Sequence, residues 1–305
     1  MISRKEGTVI FEFLKRLFGI KEQPAAPSDE HIPEGTSFLR ISYATNKGLV
    51  RETNEDSFFI DGRCRHTFGK EEQDCYIELT GGTHVFGIFD GMGGEAHGEA
   101  ASALSAVALE RAFDSLTAAA PYELKTLIDD FCRSANGAIL DMLRDRGASS
   151  GGSTFAAVCV GDGTARTYYL GDSRVYIRGA DGGLSPLTRD HTAAVAKLDA
   201  GLYTEEQART SRDRHALTHF LGEDRSHRGL TSAECEAVTF GEGCALVMCT
   251  DGLTDMVTDE EIAAALTESS NSPASALVSL ALDHGGKDNV TCIVIENLKK
   301  TRTNT

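Results

Sequence analysis

The stretch HVFGIFDGMGG, residues 84–94, is an apolar run that stops at an acid and continues into small or flexible residues. The run is short and rich in β-forming residues, and Asp-Gly is a strong turn signal, so it predicts a strand that ends at Asp90. Asp-Gly occurs at four other places in the chain, which favours an ordinary turn. Asp90 therefore has two interpretations: a turn residue, or a carboxylate held at a strand end for chemistry.

Short β-rich runs separated by turn residues continue the pattern on both sides of this stretch. They are FLRISYAT (38–45), DSFFIDG (56–62), STFAAVCV (153–160), ARTYYLGD (165–172), SRVYIRG (173–179), EAVTF (236–240), CALVMCT (244–250) and NVTCIVIE (289–296). Most of these runs follow one another as hairpins instead of strand–helix–strand units. The sequence therefore predicts sheets that are largely antiparallel.

Helical patterns occupy the spaces between these groups of strands. The clearest pattern has apolar residues at helical spacing, namely Leu124, Leu127, Ile128, Phe131, Ala135, Ala138, Ile139 and Met142. Thr258 and Glu261 form a capping-box sequence that predicts a helix start. Ser272 is the predicted cap of a further helix, with Pro273 in its first turn.

The composition is typical of a globular protein, with 41% apolar and 25% charged residues among 305. The balance of 46 acids against 30 bases gives a net charge of -16. A surface of this charge is a poor partner for polyanions, so we expect no nucleic-acid binding. The same acids can gather around cations if particular carboxylates converge.

The eight cysteines include no Cys-x-x-Cys pair, and most lie in apolar runs. They are typical of buried thiols in a reducing compartment instead of a zinc or redox motif. No apolar run reaches the roughly 18 residues needed to span a bilayer, and the start lacks the pattern of a secretion signal. We therefore expect a cytoplasmic protein without a transmembrane segment.

The chain divides into four predicted parts. Residues 1–20 can form an amphipathic arm, and residues 21–36 are a proline-containing linker. Whether the arm binds its own domain, a partner or a membrane surface is left open. Residues 37–298 form the main domain, with a polar, Arg- and His-rich flap at about 191–232, and residues 299–305 are a tail.

Four acids, Asp56, Asp90, Asp251 and Asp288, stand next to apolar strands that are far apart in sequence. A turn needs only its own Asp-Gly, whereas Mg²⁺ or Mn²⁺ needs oxygen ligands from several segments at one point. A sandwich of two sheets can bring strand ends together along one edge. Spacing alone does not prove this convergence.

Seven motifs carry a family resemblance. In chain order they are RETNEDS (51–57), FDGMGG (89–94), GGST (151–154), LGDSR (170–174), LTRDHT (187–192), CTDGLTD (249–255) and KDNVT (287–291). This series, over about residues 38–297, resembles the metal-dependent protein phosphatases, the type-2C or PPM serine/threonine phosphatases. The DGMGG form is similar to that of the bacterial members.

The resemblance implies a fold, an activity and partners. The implied fold is of the α+β class, a four-layer α-β-β-α sandwich of two mainly antiparallel sheets flanked by helices. The implied activity is hydrolysis of phosphoserine and phosphothreonine by in-line attack of a water activated by two Mn²⁺ or Mg²⁺ ions. The implied partners are phosphorylated proteins and a cognate serine/threonine kinase, in bacterial signalling.

The resemblance also implies roles for residues of this chain. The predicted metal ligands are Asp56, Asp90, Asp251 and Asp288, with the backbone carbonyl of Gly91. Glu55 would act in the outer shell, Asn289 would support the last ligand, and Arg51 would hold the substrate phosphate. Arg51, Asp56 and Asp90 are thus the predicted catalytic residues. Asp172 and Asp255 resemble the residues that hold a third, weaker ion, although each also fits a hydrogen-bonded or surface acid.

The proton donor for the leaving group is left open. Eukaryotic relatives have a histidine after the Asp-Gly, where this chain has Met92, which cannot donate a proton. His97 is expected on the first turn of a helix. His191, His215 and His219 are expected as flap residues and not as acids.

Two other classes of function compete with the phosphatase interpretation. GMGGEA (91–96) fits a dinucleotide-binding turn, and Glu110 lies about twenty residues on, where a ribose-binding acid is expected. Glu110, however, falls in a helical pattern, and the hairpins contradict a doubly wound sheet. The other alternative is a catalytically silent phosphoprotein-binding relative, which would be expected to lose metal-binding acids. A hydrolase of another phosphoester on the same metals is also open.

Overall fold

The structure, a computed structural model, describes residues 35–65, 76–224, 230–267 and 272–300. The predicted amphipathic arm lies outside these residues, as do the tail beyond residue 300 and all but residues 35–36 of the linker. The main domain is described almost throughout, so its sheets and helices can be compared with the sequence.

Fifteen strands are present in the described residues. They are β1 (Ser37–Asn46), β2 (Ser57–Ile60), β3 (Arg63–Cys64), β4 (Tyr76–Leu79), β5 (His84–Phe89), β6 (Gly91–Met92), β7 (Gly152–Ser153), β8 (Phe155–Gly161), β9 (Thr164–Leu170), β10 (Arg174–Arg178), β11 (Leu184–Pro186), β12 (Ala233–Glu234), β13 (Val238–Thr239), β14 (Ala245–Cys249) and β15 (Val290–Lys299). The eight β-rich runs of the sequence therefore form strands, as predicted.

Seven α-helices lie in the same described residues. They are α1 (Glu95–Ala118), α2 (Leu124–Asp145), α3 (Ala193–Asp199), α4 (Glu205–Thr210), α5 (Asp251–Thr254), α6 (Asp259–Ala265) and α7 (Pro273–Asp283). A short 3₁₀ helix at Arg212–His215 follows α4. None of the described helices is long and apolar enough to cross a lipid bilayer.

The strands form two large sheets. In the first sheet the strand order is β11-β10-β14-β15-β1-β4, and in the second it is β12-β9-β8-β5-β2-β3, with β13 also paired to β9. A two-stranded ribbon joins β6 to β7. Every strand pair among the described residues is antiparallel, which confirms the prediction from the hairpin pattern.

Three apolar layers hold the sheets and helices together. Alternate residues of β5 show why: Phe86 and Ile88 face the other sheet, while Val85 and Phe89 face the helices. Helices α1 and α2 cover the second sheet, and α5, α6 and α7 pack on the first. The result is a four-layer α-β-β-α sandwich, and the predicted fold class is confirmed.

The helix starts agree with the sequence in one case and differ in another. Thr258 and Glu261 form the predicted capping box of α6. Ser272 occupies the N-cap position of α7, but its hydroxyl bonds to Ser275 Oγ at 2.9 Å and makes no capping bond to the backbone. The prediction of a side-chain cap at Ser272 was therefore wrong. The N–H of Ala274, which such a cap could bind, donates to Ser42 Oγ at 3.3 Å instead.

The polar segment predicted as a flap contains α3, α4 and the 3₁₀ helix in its described part, residues 191–224. It connects β11 of one sheet to β12 of the other. The Lys197 ammonium and the Tyr203 hydroxyl both donate to the carboxylate of Asp213, the latter at 2.7 Å. These bonds join α3, the turn after it and the 3₁₀ helix into one unit.

Candidate active site

Strand ends from both sheets meet at one edge of the sandwich. Ser57 of β2 pairs with Phe89 of β5, so the residues next to this pair, Asp56 and Asp90, lie at the same end of the second sheet. In the first sheet β14 ends beside the start of β15, where Cys249 pairs with Cys292. This antiparallel register brings the loops before β15 and after β14 to the same edge.

A cavity of about 400 Å³ opens at this edge. Its lining includes eight residues predicted from the sequence: Arg51, Glu55, Asp90, Gly91, Asp172, Asp251, Asp288 and Asn289. Two other predicted residues are not part of the lining: Asp56 directly follows Glu55, which lines the cavity, and Asp255 lies 3.8 Å from His215, which also lines it. The structure therefore brings predicted residues from five separate motifs together around one space.

Asp56 is buried behind the cavity, with 1% of its surface exposed. One carboxylate oxygen, Oδ2, accepts hydrogen bonds from Thr250 Oγ1 at 3.0 Å and Thr291 Oγ1 at 2.6 Å. The other oxygen, Oδ1, is buried and has no hydrogen-bond partner in the structure. Burial raises the pKa of Asp56 to about 7, against the two threonine hydrogen bonds, which lower it.

Asp90 and Asp172 belong to the same group of interacting carboxylates. Burial is the largest cause that raises the pKa of Asp90 well above its ordinary value, followed by the charges of Asp56 and Asp251. Burial and then Asp251 likewise raise the pKa of Asp172. Carboxylates this close repel one another, so the group favours either protons or a bound cation.

Arg51 and Asn289 surround the carboxylate of Asp288. Arg51 Nη2 donates to Asp288 Oδ2 at 2.6 Å, and half of the Arg51 side chain is exposed. The Asn289 amide group donates to the carbonyls of Lys47 and Thr53, and its oxygen accepts from the N–H of Glu55 at 2.7 Å. Asn289 thus ties the loop that carries Arg51 and Glu55 to the start of β15.

Glu55 and Gly91 lie against the start of α1. A Cβ atom added at Gly98 would lie 1.8 Å from Glu55 Oε2, and one at Gly91 would lie 2.2 Å from the Gly98 carbonyl oxygen. Ser102 Oγ donates to the Glu55 carbonyl at 2.5 Å. Glycine at positions 91 and 98 therefore allows α1 to approach both predicted metal-binding loops closely.

Asp255 lies one turn beyond Asp251 and faces the 3₁₀ helix. Arg214 Nη1 and Nη2 donate to its two oxygens at 3.1 and 3.3 Å. His215 lines the cavity, with Nδ1 at 3.9 Å from Asp251 and Nε2 at 3.8 Å from Asp255. Burial raises the pKa of Asp255, followed by the charge of Asp251, while Arg214 opposes this rise.

The residues fit divalent cations bound by oxygen. Carboxylates from separate loops supply the hard ligands that Mg²⁺ and Mn²⁺ prefer. The buried Oδ1 of Asp56 is the more telling observation, because a buried oxygen without a hydrogen bond costs free energy unless something else binds it. His215, Asp251 and Asp255 also offer ligand atoms within 4.8 Å of one another.

Several residues of the site were not found by sequence reasoning. Thr250 and Thr291 orient Asp56. The signal available in the sequence was their position, since Thr250 directly precedes the predicted acid Asp251 and Thr291 follows Asp288 by three residues. Thr154 lines the cavity, and its Oγ1 accepts from the N–H of Asp90 at 2.9 Å. Arg214 and His215 carried no local signal for a contact with Asp255.

The structure does not support a dinucleotide-binding site at GMGGEA. Glu110 lies inside α1 and not at the end of a second parallel strand. The strand before this turn, β5, pairs antiparallel with both β2 and β8. A doubly wound parallel sheet is therefore excluded for the described residues, and the dinucleotide interpretation was wrong.

A comparison with known protein families finds one match over most of the chain. Residues 62–283 match the family described as Protein phosphatase 2C. Among curated proteins, the serine/threonine protein phosphatase PstP of Mycobacterium tuberculosis is 32% identical over 264 residues, which are 86% of this chain. The chain spans only 45% of the length of that relative. The serine/threonine phosphatase stp of Listeria innocua is 26% identical, over 85% of this chain and 96% of its own length.

Solved structures of bacterial serine/threonine phosphatases are also similar to this chain. The crystal structure of the M. tuberculosis phosphatase PstP/Ppp has a TM-score of 0.68 at 29% identity, and the match covers 86% of this chain and 99% of that one. A crystal structure of the PstP catalytic domain in complex with two manganese ions has the same TM-score and identity, and the match covers 87% of this chain and 100% of that one.

Proposed function

This chain belongs to the protein phosphatase 2C family, and on that basis we propose that it is a metal-dependent phosphatase that removes phosphate from serine and threonine residues of proteins. Relatives that match along nearly their whole length carry the name of serine/threonine phosphatase. The two manganese ions in the PstP catalytic domain support a cofactor of two Mn²⁺ or Mg²⁺ ions for this chain as well.

One observation carries the proposal. Acids from separate loops, Asp90, Asp251 and Asp288, line one cavity together with the guanidinium of Arg51. Directly behind it, Asp56 holds a buried oxygen without a hydrogen-bond partner. A cluster of acids beside one exposed arginine suits cations and a phosphate group bound side by side.

We assign the predicted ligands to these cations. Asp56, Asp90, Asp251 and Asp288 would hold them, with the Gly91 carbonyl, while Glu55 would act from the outer shell. When bound, divalent cations polarise phosphoryl oxygens and make a water acidic enough to act as a nucleophile at neutral pH. Thr250 and Thr291 hold the Asp56 carboxylate in one orientation, through hydrogen bonds to Oδ2 that leave Oδ1 open.

Arg51 is proposed to hold the substrate phosphate. Its guanidinium already bonds to Asp288 through Nη2, which fixes the side chain at the cavity and leaves other N–H groups to donate to phosphate oxygens. Asn289 supports this arrangement, since its amide holds the carbonyls of Lys47 and Thr53 on either side of Arg51. Met92 lines the cavity and has no proton to donate to the leaving group.

The substrates we propose are phosphorylated proteins, with a serine/threonine kinase as the opposing enzyme. The mycobacterial relative is more than twice as long as the matched region, so its further parts carry no argument here. We also propose a cytoplasmic location. It is supported by the seven described cysteines, which form no disulfide with one another and most of which are buried.

The proposal is tested by hydrolysis of a phosphothreonine peptide and of p-nitrophenyl phosphate, with Mn²⁺, Mg²⁺ or EDTA. We expect turnover that requires the metal and falls roughly 100-fold or more in Asp251→Asn, as is common when one electrostatic stabiliser is removed. Asp145→Asn, at the exposed end of α2, is the matched control and should retain full activity.

Folded, Mn²⁺-saturated protein without turnover on either substrate would contradict the proposal. It would favour the catalytically silent phosphoprotein-binding relative instead. Turnover of p-nitrophenyl phosphate without turnover of the phosphopeptide would indicate a hydrolase of small phosphate esters.

A further inference from the structure

Arg214, on the 3₁₀ helix of the flap, binds the predicted metal ligand Asp255 through both of its terminal nitrogens. The distances from Nη1 and Nη2 to the two oxygens of Asp255 are 3.1 and 3.3 Å. The two side chains are 40% and 26% exposed, so the pair is partly shielded from water. A bidentate ion pair of this kind fixes the relative orientation of the two side chains as well as the distance between them.

This pair stands where a cation would have to bind. A divalent ion at Asp255 needs at least one of the same two oxygens, and it would lie next to a permanently charged guanidinium. Arg214 donates to both oxygens of Asp255, whereas Arg51 donates to only one oxygen of Asp288. An ion at Asp255 would therefore compete with the guanidinium for each oxygen and would bind beside its positive charge.

The 3₁₀ helix that carries Arg214 is tied to the rest of the flap. The N–H of Ala193 donates to the carbonyl of Ala216 at 2.8 Å, and Lys197 and Tyr203 both hold Asp213. Arg214 therefore connects a unit of α3, α4 and the 3₁₀ helix to the core, and not a single side chain. Backbone bonds hold the two ends of the flap, from the His191 N–H to the Gly171 carbonyl and between Leu221 and Ser153, and the Arg214–Asp255 pair is the clasp between them.

Resting on the proposed function, we propose that Arg214 clasps the flap to Asp255 and excludes a third divalent cation from this carboxylate, so that the site holds two ions while the clasp is closed. A third ion at Asp255 requires that the clasp opens.

The test counts bound Mn²⁺ without any substrate, by calorimetry and by electron paramagnetic resonance of the free ion. We expect two ions for the wild-type protein and three for Arg214→Gln, with the added ion the weaker one. The double variant Arg214→Gln/Asp255→Asn should return to two. Arg212→Gln is the matched control, since Arg212 lies on the same exposed turn and makes no ion pair with a described residue.

Three ions in the wild-type protein, or two in Arg214→Gln, would overturn the proposal. A second readout addresses the flap itself, namely amide hydrogen exchange of residues 191–217 in metal-free protein. Exchange should be about two- to fivefold faster in Arg214→Gln and in Asp255→Asn, as expected for the loss of a partly exposed ion pair. Unchanged exchange in both variants would mean that Arg214 is not a clasp.

These readouts separate the inference from the proposed function. Loss of phosphatase activity on every substrate would contradict the enzyme, yet the ion count and the hydrogen exchange would still decide the role of Arg214. A wild-type protein that binds no Mn²⁺ would overturn both the metal centre and the exclusion of a third ion.

Discussion

Thr250 and Thr291 set the orientation of Asp56 before any ion is bound. Both hydroxyls bond to Oδ2, and Thr291 is fully buried. Because these two bonds hold Oδ2, the position of Oδ1 is fixed as well. Partners of this kind commonly matter almost as much as the ligands themselves, because they remove the entropy of an otherwise rotating carboxylate.

We expect Thr291→Val to weaken Mn²⁺ binding by about 10- to 100-fold, the range usual for loss of such a partner, with little change in fold. The matched control is Thr167→Val. Thr167 is equally buried, but its Oγ1 has no hydrogen-bond partner in the structure. Calorimetric titration measures the Mn²⁺ affinity of both variants. Equal affinities of the two variants would show that the Thr291 hydroxyl has no role in orientation.

The raised pKa of Asp56 makes the stability of the metal-free protein depend on pH. Its folded-state pKa is about 7, against an ordinary value of 3.8, because burial penalises the charged carboxylate. Between these values the folded protein retains a proton that the unfolded chain has released. Stability therefore falls as the pH rises through this window, by up to about 1.4 kcal/mol per pH unit, and this contribution is constant above pH 7.

We expect Asp56→Asn to remove this part of the pH dependence, because the amide does not titrate. Urea unfolding of EDTA-treated wild-type and variant protein at about pH 5 and pH 7 gives the two slopes. The wild type should lose more stability than the variant on going to pH 7. Parallel slopes would mean that Asp56 is ionised in the folded protein throughout this range.

At the scale of elements, the start of α1 determines how closely the two metal-binding loops approach. Gly98 lies in the helix, and the site of its missing Cβ is filled by Glu55 Oε2. Gly137, within α2, has no atom within 4 Å of the same position and is exposed. Two helical glycines of the same chain thus differ only in what they face.

Alanine at these two positions should have opposite effects. Gly137→Ala should stabilise the protein by about 0.5–1 kcal/mol, because alanine loses less backbone entropy in a helix. Gly98→Ala should destabilise it by roughly 1–3 kcal/mol and weaken Mn²⁺ binding, because the buried Glu55 must move. Urea unfolding measures the stability of each variant, and titration with Mn²⁺ measures its affinity for the ion. A stabilised Gly98→Ala with unchanged Mn²⁺ affinity would contradict the close packing of Glu55.

At the scale of the whole molecule, the fold gathers negative charge at one edge of an already acidic chain. The net charge is -16, and Asp56 and Asp172 are buried and Asp90 half-buried, each next to other carboxylates. Repulsion among them opposes folding when no cation is present. The site therefore couples metal binding to the stability of the entire sandwich, since both sheets contribute to it.

We expect Mn²⁺ to raise the melting temperature of the EDTA-treated protein. At 100 times the dissociation constant, the gain in the free energy of unfolding should be about 2.7 kcal/mol for each bound ion. The gain should be much smaller for Asp251→Asn and unchanged for Asp145→Asn. Differential scanning calorimetry with and without Mn²⁺ measures the melting temperature of each protein. Equal gains in all three proteins would place Mn²⁺ binding outside the site.

The sequence by itself determined the elements and their pairing sense. The periodicity of α2, the alternating faces of β5 and the capping box of α6 arise from neighbours within a few residues, and such patterns are local. The motifs identified the family and named the acids that the structure brings to one edge. Ser272 was the exception, because the Ala274 N–H that it could cap donates to Ser42 Oγ, which is 232 residues away in sequence.

Only the tertiary structure decided which strand ends meet and what else reaches them. Asn289 bonds to Glu55 across 234 residues of sequence, and Thr291 bonds to Asp56 across 235. Arg214 meets Asp255 because the flap folds back over the edge of the first sheet. Contacts at such separations depend on strand register and on how the sheets pack, and no local pattern encodes which partner a side chain will find.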